Sequence, residues 1–366
     1  MDSLADLTLV IPAYNRPAYL ERQIDFWSQT QINLCILDGS RESAPQALID
    51  RMGSNVYYRH LPIGLNERLV MACDLVQTKY VALLGDDELY APQGLKDCIS
   101  QLEVDKRLVA TVGRSMFFFH RDGEIIAHQT YEKSQNLVNT FGSDIDRLDE
   151  SLVDITRGPY LLYGLFNADQ WKAAVRVSYG RKYASGYVYE FAFHLIATLL
   201  GPSTMVDSLV WMRSGENPAM SSDAVNRKIG IGEWGTDPQF SEEVNYLVDG
   251  VVGAVANEGR FTAEELRDAV RQSVEGFVAY SLHKPKRPIA YWHRTLYVLA
   301  RKTPTVLKLL LKRNMSTGLS KVLDYRGVPM SEAVEEMRKS GVALNETEMK
   351  SMEKFLIHFY QRLAIS

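Results

Sequence analysis

Residues 80–92 read Tyr-Val-Ala-Leu-Leu-Gly-Asp-Asp-Glu-Leu-Tyr-Ala-Pro. A short apolar run closed by glycine fits a strand buried on both faces, and its tyrosine and valine suit a pleated surface. Behind it stand Asp86, Asp87 and Glu88. Three adjacent acids after a buried strand crowd like charge, which is unfavourable unless something neutralises it. A hard divalent cation, Mn²⁺ or Mg²⁺, does so by sharing carboxylate and phosphate oxygen. The other reading is a solvated acidic loop. In an open α/β sheet, ligands bind beyond the carboxyl ends of the strands, where these acids stand.

Outward from this stretch, residues 7–11, 33–37 and 56–60 have the same strand character. Residues 18–29, 45–52, 66–76 and 93–104 show helical spacing between and after them. Strand alternating with helix predicts a mostly parallel, doubly wound, Rossmann-like sheet. Residues 108–120 and 124–131 flank Asp122-Gly123, a hairpin signal that predicts an antiparallel addition. Helices are expected near 168–175 and 188–200. Beyond residue 237 the chain reads as helical, at 241–257, 263–280, 288–301, 304–313, 330–340 and 346–363. The Gly/Pro/Ser-rich region 214–238 separates two expected domains, 1–235 and 236–366.

Two further strand ends carry usable chemistry. After the first strand, Pro12 stops the run, and Tyr14 offers a flat face and a hydroxyl to a base or ribose. A strand-to-helix turn with Asn15 or Arg16 near the helix start is the plainer reading. After the second strand, Asp38 in Leu37-Asp38-Gly39-Ser40 can accept from the imide N–H of uracil, thymine or guanine, which cytosine lacks. Asp38 and Ser40 would otherwise simply make a turn.

The segments 10–15, 37–40 and 80–92, in this order and spacing, resemble the three landmarks of family 2 glycosyltransferases of the GT-A fold. The resemblance covers about residues 5–220. It implies an inverting, metal-dependent enzyme that uses a nucleoside-diphosphate sugar. Pro12, Ala13 and Tyr14 would then border the nucleotide, and Asp38 would read the base. Asp86 would lie near ribose and metal, with Asp87 the main metal ligand. Gly64-Leu65-Asn66-Glu67-Arg68-Leu69 resembles the family's Gly…Arg stretch and puts Arg68 near the nucleotide or diphosphate. The family's base stands at a helix start about 100 residues past the metal motif, where this chain has Glu190. A helix N-terminus favours negative charge there. Residues 211–221 resemble the segment that closes over the diphosphate, and Arg213 would meet the leaving group's charge. Leu84, Phe191 and Gly215 stand where the family carries an acid, a second acid and a metal-binding histidine.

The implied activity is sugar transfer to a hydroxyl of a glycan, lipid-linked or protein-linked acceptor, in bacterial surface glycan or glycoconjugate synthesis. A nucleotide-sugar-binding protein with impaired catalysis is the alternative suggested by the three departures. A sugar nucleotidyltransferase is another, although the Gly-rich loop it needs after the first strand is absent.

The chain has 366 residues, 41 Lys plus Arg and 45 Asp plus Glu, a formal net charge of −4. Apolar residues make up 46% and charged residues 23%, which excludes a largely disordered or fibrous chain. Cys35, Cys73 and Cys98 are too few and too scattered for a disulfide framework or metal knuckle. No apolar run spans a bilayer, and the amino terminus lacks a leader's layout, so a soluble cytoplasmic chain is expected. The charge is uneven: residues 276–323 hold no Asp or Glu but ten bases, from Lys284 to Lys321. Residues 284–313 combine these bases with Tyr291, Trp292 and Tyr297. They fit a peripheral helix on an anionic inner membrane face, a solvated basic face, or a docking surface for a partner or second copy. Nucleic acid is not an expected partner. Residues 230–235 imitate part of a dinucleotide fingerprint and are expected to form a loop. His194 is expected to be a core histidine.

Overall fold

The computed structural model describes residues 3–130, 147–148, 161–215, 229–255, 262–283 and 327–363. Its centre is β1 (Leu7–Ala13), buried along its whole length. β1 pairs in parallel with β2 (Asn33–Asp38) on one side and with β4 (Tyr80–Leu83) on the other, and β2 pairs in parallel with β3 (Val56–His60). The register sets Ala13 beside Asp38 and Val10 beside Leu83. The carboxyl ends of β1 and β2 are therefore level, whereas β4 stops opposite Val10 and the chain runs on from it through Leu84 and Gly85 to Asp86.

Side-chain alternation explains why both faces are covered. Leu7, Leu9 and Ile11 point into one core with Leu20, Ile24 and Trp27 of α1 (Pro17–Trp27) and Leu95, Ile99 and Leu102 of α4 (Pro92–Val104). Val10 points the other way, to Leu69 and Cys73 of α3 (Leu65–Leu75). That second core also receives α5 (Ala168–Tyr179) and α6 (Tyr187–Leu200). The short α2 (Gln46–Ile49) precedes β3. Period-2 strands between helices on both faces are what the sequence pattern predicts. Proline at the first position of α1 and α4 suits a helix start, where its missing N–H costs nothing.

The antiparallel part follows from local signals and from one that is not local. β6 (Ala110–Arg121) and β7 (Glu124–Thr130) form the expected hairpin. Asp122 (φ 54°) and Gly123 (φ 86°) supply the left-handed turn that matches strand twist. β8 (Leu165–Asn167) fits between β4 and β6, antiparallel to both. β9 (Ser203–Ser214) runs parallel to β6 and antiparallel to the two-residue β5 (Leu89–Tyr90). No local pattern announces this return, and it brings Trp211 and Arg213 next to the acidic stretch.

Past residue 230 the chain forms α7 (Ile231–Thr236), α8 (Ser241–Val255) and α9 (Ala263–His283). The expected loop at 230–235 is therefore corrected to a helix. Ile231 and Trp234 are buried one turn apart, and a Cβ on Gly232 or Gly235 would come within 2.6 Å of Leu282 or 2.1 Å of Val278. The glycines let α7 lie against α9. His194 is buried as expected, and burial lowers its pKa to about 4.

The carboxyl-terminal segment returns to the sheet. β10 (Val328–Pro329) pairs with β7, and α10 (Met330–Lys339) and α11 (Glu346–Leu363) share a core with Met116, Phe118 and Ile125. Arg22 of α1 is buried between the Tyr19 and Phe359 rings, 4.8 and 5.0 Å from their centres, and donates to the Tyr360 hydroxyl at 3.4 Å. Packing thus crosses the expected 235/236 boundary. The expected helices at 288–301 and 304–313, and with them the basic stretch 284–313, lie outside the described residues. No helix among the described residues is long and apolar enough to cross a membrane.

Candidate active site

The level ends of β1 and β2 are tied together by one arginine. Arg68, on α3, is 2% exposed, and its Nη1 donates to the carbonyls of Ala13 (2.7 Å) and Leu37 (2.6 Å). Its guanidinium lies flat on Gly39, where a Cβ would come within 2.5 Å of Cζ. Burial lowers the Arg68 pKa, opposed by the charges of Asp38 and Asp86. Sequence reasoning puts Arg68 at the nucleotide; the structure buries its guanidinium against the Ala13 and Leu37 carbonyls and Gly39.

Asp38 is 2% exposed. One oxygen accepts from the Ser40 N–H (2.9 Å) and hydroxyl, and the other from the Tyr58 hydroxyl (2.9 Å). A carboxylate has about four acceptor positions, so one remains for a further donor such as an imide N–H. The expected stop at Pro12 is corrected, since β1 runs on through Pro12 and Ala13, paired with Leu37 and Asp38, and Tyr14 follows with 47% of its surface exposed. Asn15 takes the left-handed conformation (φ 53°), held by its N–H to the Ser40 hydroxyl at 2.8 Å. The turn between β1 and α1 is thereby locked to the turn after β2.

The acidic stretch is shaped by a residue that sequence reasoning missed. Gln23, fully buried on α1, donates through Nε2 to the carbonyls of Asp86 (2.9 Å) and Glu88 (2.6 Å), while its Oε1 accepts from Trp27 Nε1 at 3.0 Å. The signal was present: a glutamine inside the apolar stripe Leu20, Ile24, Trp27 must find buried partners. Asp86 is buried, and burial with the adjacent Asp87 charge raises its pKa to about 6, against the pull of Arg16. Arg16 Nη1 lies 2.8 Å from Asp86 Oδ1 and 3.5 Å from Asp87 Oδ2.

Glu88 turns away from this pair. Its Oε2 accepts from the Trp211 indole at 3.0 Å, and Tyr163 stacks on Trp211 with ring centres 4.2 Å apart. Burial and the Asp87 charge push the Glu88 pKa up to about 8. Burial raises the Tyr163 pKa, with smaller contributions from the charges of Glu88 and Glu190 and an opposing one from Arg213. Glu190 is exposed in the first turn of α6, and Arg213 is exposed on β9. α6 is anchored at its start by Glu243 of α8, whose Oε2 accepts from the Ala184 N–H (3.0 Å) and the Trp234 indole (2.8 Å). Glu243 was invisible to sequence reasoning, because its partners lie about 10 and 60 residues away.

Each of the three departures from the resembled pattern has a packing reason. Leu84 is buried in the α1/α4 core, its N–H bonded to the Val10 carbonyl at 2.9 Å. Phe191 faces the helical core and stacks on Phe277 at 4.3 Å. At Gly215 a Cβ would lie 2.0 Å from the tip of the Phe117 ring, so any side chain there requires that ring to move.

Among the described residues no group of three or more His, Cys, Asp or Glu is arranged to hold a metal ion. The Asp86–Asp87 pair nevertheless suits a hard cation shared with a substrate: Mg²⁺-type ions take one or two carboxylates, with phosphate and water completing the shell. A cation already stands between these carboxylates, the Arg16 guanidinium, so the local field is one that favours positive charge.

The Glu88 pKa makes stability depend on pH. The folded state holds this proton up to about pH 8, the unfolded chain only to about 4.5. Between these values the folded state binds more protons, so the contribution is full below pH 4.5 and lost as pH rises to 8. The slope is at most about 1.4 kcal/mol per pH unit. Urea unfolding of the metal-free protein from pH 5 to 8 should show this loss, and Glu88→Gln should flatten it; parallel profiles would remove Glu88 as the cause.

Residues 8–157 match the family model described as Glycosyl transferase family 2. Among solved structures, S. aureus TarS 1-349 in complex with UDP-GlcNAc is similar at 11% identity and TM-score 0.49, covering 95% of this chain and 91% of that one. A longer S. aureus TarS structure is similar at 9% identity and TM-score 0.48, over 83% of this chain; the chain spans 50% of its length. Glucosyl-3-phosphoglycerate synthase from Mycobacterium tuberculosis, in complex with Mn²⁺, UDP and glucosyl-3-phosphoglycerate, is similar at 18% identity and TM-score 0.35, over 58% of this chain and 72% of that one. No curated protein matches the sequence.

Proposed function

We propose that this chain, a family 2-like GT-A fold with a helical carboxyl-terminal region, moves a sugar from a nucleoside-diphosphate sugar, UDP-type, to a hydroxyl acceptor with inversion. The observation that carries the reading is the convergence of Tyr14, Asp38, Asp86 and Asp87 at and just beyond the carboxyl ends of β1, β2 and β4, within the matched residues. Tyr14 and the ends of Pro12 and Ala13 border the nucleotide, and Asp38 spends its remaining acceptor position on the imide N–H. Asp87, with Asp86, would hold Mn²⁺ or Mg²⁺ against the diphosphate. The metal's chemistry is neutralisation of leaving-group charge. Arg213 adds a guanidinium to that charge. Glu190 takes the acceptor hydroxyl's proton while the oxygen bonds to the anomeric carbon and the bond to the diphosphate oxygen breaks. One displacement of this kind inverts the centre.

The acceptor is proposed to be a glycan, lipid-linked or protein-linked hydroxyl in bacterial surface glycan synthesis. The division at 235/236, a cytoplasmic setting and attachment of residues 284–313 to an anionic membrane face belong to the same proposal.

The test is titration calorimetry with a panel of nucleotide sugars in Mn²⁺, followed by assay of slow donor hydrolysis. UDP-sugars should bind and turn over, and cytidine donors should bind more weakly by about tenfold or more, because Asp38 then faces an acceptor. A protein that neither binds nor hydrolyses any donor is not this enzyme. Equal affinity for uridine and cytidine donors removes Asp38 from base reading.

A further inference from the structure

We propose that Arg16 is a resident counter-cation of the acid pair, one that makes divalent-cation binding conditional on the nucleotide diphosphate; the inference rests on the donor reading above. A single nitrogen, Nη1, serves both acids, at 2.8 Å from Asp86 Oδ1 and 3.5 Å from Asp87 Oδ2. The three side chains are 16%, 1% and 13% exposed, so solvent screens the cluster poorly. Two adjacent carboxylates carry two negative charges and Arg16 cancels one. A dication entering beside the guanidinium meets a like charge at contact distance and gains only the remainder.

The backbone aims this arginine. Asn15 is held in the left-handed region at φ 53° with its N–H on the Ser40 hydroxyl, and the Arg16 carbonyl accepts the Tyr19 and Leu20 N–H groups at 3.1 Å each. The main chain is fixed at the start of α1, while the long side chain has other rotamers. A diphosphate offers guanidinium the same planar oxygen geometry as a carboxylate. When it arrives, Arg16 exchanges a carboxylate oxygen for a phosphate oxygen, and the acid pair turns its full charge to the metal. Without diphosphate there is no such exchange. Coupling of this kind is reciprocal: the metal should tighten the nucleotide by the same factor.

The experiment measures Mn²⁺ affinity from the free-ion electron paramagnetic resonance signal, with and without UDP, for wild type, Arg16→Gln and Arg16→Lys. Wild type should bind Mn²⁺ about tenfold or more tightly with UDP than without. Arg16→Gln should bind Mn²⁺ alone about tenfold more tightly than wild type and gain less from UDP, whereas Arg16→Lys keeps the charge and the wild-type pattern. Equal Mn²⁺ affinity of folded wild type and Arg16→Gln without UDP overturns the proposal. So does a wild type that binds UDP but takes Mn²⁺ equally with and without it, a comparison that needs no variant to fold. UDP binding is read separately by calorimetry. Its absence defeats the donor reading, while the metal-alone comparison still decides Arg16.

Discussion

Glu190→Gln is expected to lower the rate of sugar transfer by about 10²- to 10⁴-fold, the contribution of a positioned general base, with donor affinity unchanged. The substitution keeps the size and the hydrogen-bonding reach of the side chain but removes its capacity to take a proton. It should leave the fold intact, because Glu190 is exposed at the start of α6 and that helix is anchored elsewhere, by Glu243 on the Ala184 N–H and the Trp234 indole. The effect therefore separates from any stability loss. Steady-state kcat with a saturating UDP-sugar and calorimetric donor affinity are the two readouts. Full transfer activity in the variant places the base elsewhere, and a parallel loss of donor affinity makes Glu190 a binding residue.

Arg68→Met should be the most damaging single change outside the reacting groups. Methionine fills nearly the same space but loses the two charge-assisted hydrogen bonds from Nη1 to the Ala13 and Leu37 carbonyls. At about 1.5–3 kcal/mol per bond to a charged group, and with the Ala13 carbonyl keeping the Gly39 N–H at 2.9 Å, about 3 kcal/mol of stability is expected to go. The loss is local as well as global. Ala13 borders Tyr14 and Leu37 precedes Asp38, so both nucleotide-facing residues lose their support, and donor affinity should fall by about tenfold or more. Urea unfolding and donor titration measure the two effects. An unchanged unfolding midpoint would show that Arg68 is not a brace, and loss of affinity at unchanged stability would return it to direct contact with the nucleotide.

Both predictions depend on distinctions that the sequence carries unequally. β3, expected to be buried like its neighbours, carries Arg59 and His60 and is a half-exposed edge strand. The other three strands of the parallel core were legible because each is a short apolar run followed by a helical period, a purely local pattern. The same holds for the Asp122-Gly123 hairpin, whose turn needs left-handed residues. Asp38, Asp86 and Asp87 were legible as candidates for a similar reason: acids behind buried strands need an explanation, and α/β topology says where strand ends meet. The helix at Ile231–Thr236 was misread because its glycines look like loop residues until α9 is beside them. Gln23, Glu243 and Trp211 were not singled out, since each acts on a partner far along the chain.

Local pattern, through side-chain period and turn chemistry, determined the element order and the identity of the acids at the strand ends. It could do so because helix and strand are decided mostly by neighbours within a few residues. Tertiary structure alone decided what those acids are doing. It buried Arg68 against the Ala13 and Leu37 carbonyls, gave Asp86 and Asp87 a shared guanidinium, and turned Glu88 toward Trp211 on β9. Those outcomes depend on burial and on electrostatic contact between residues far apart in sequence. A residue's charge can be read from its letter, but its partner is known only after the chain has closed.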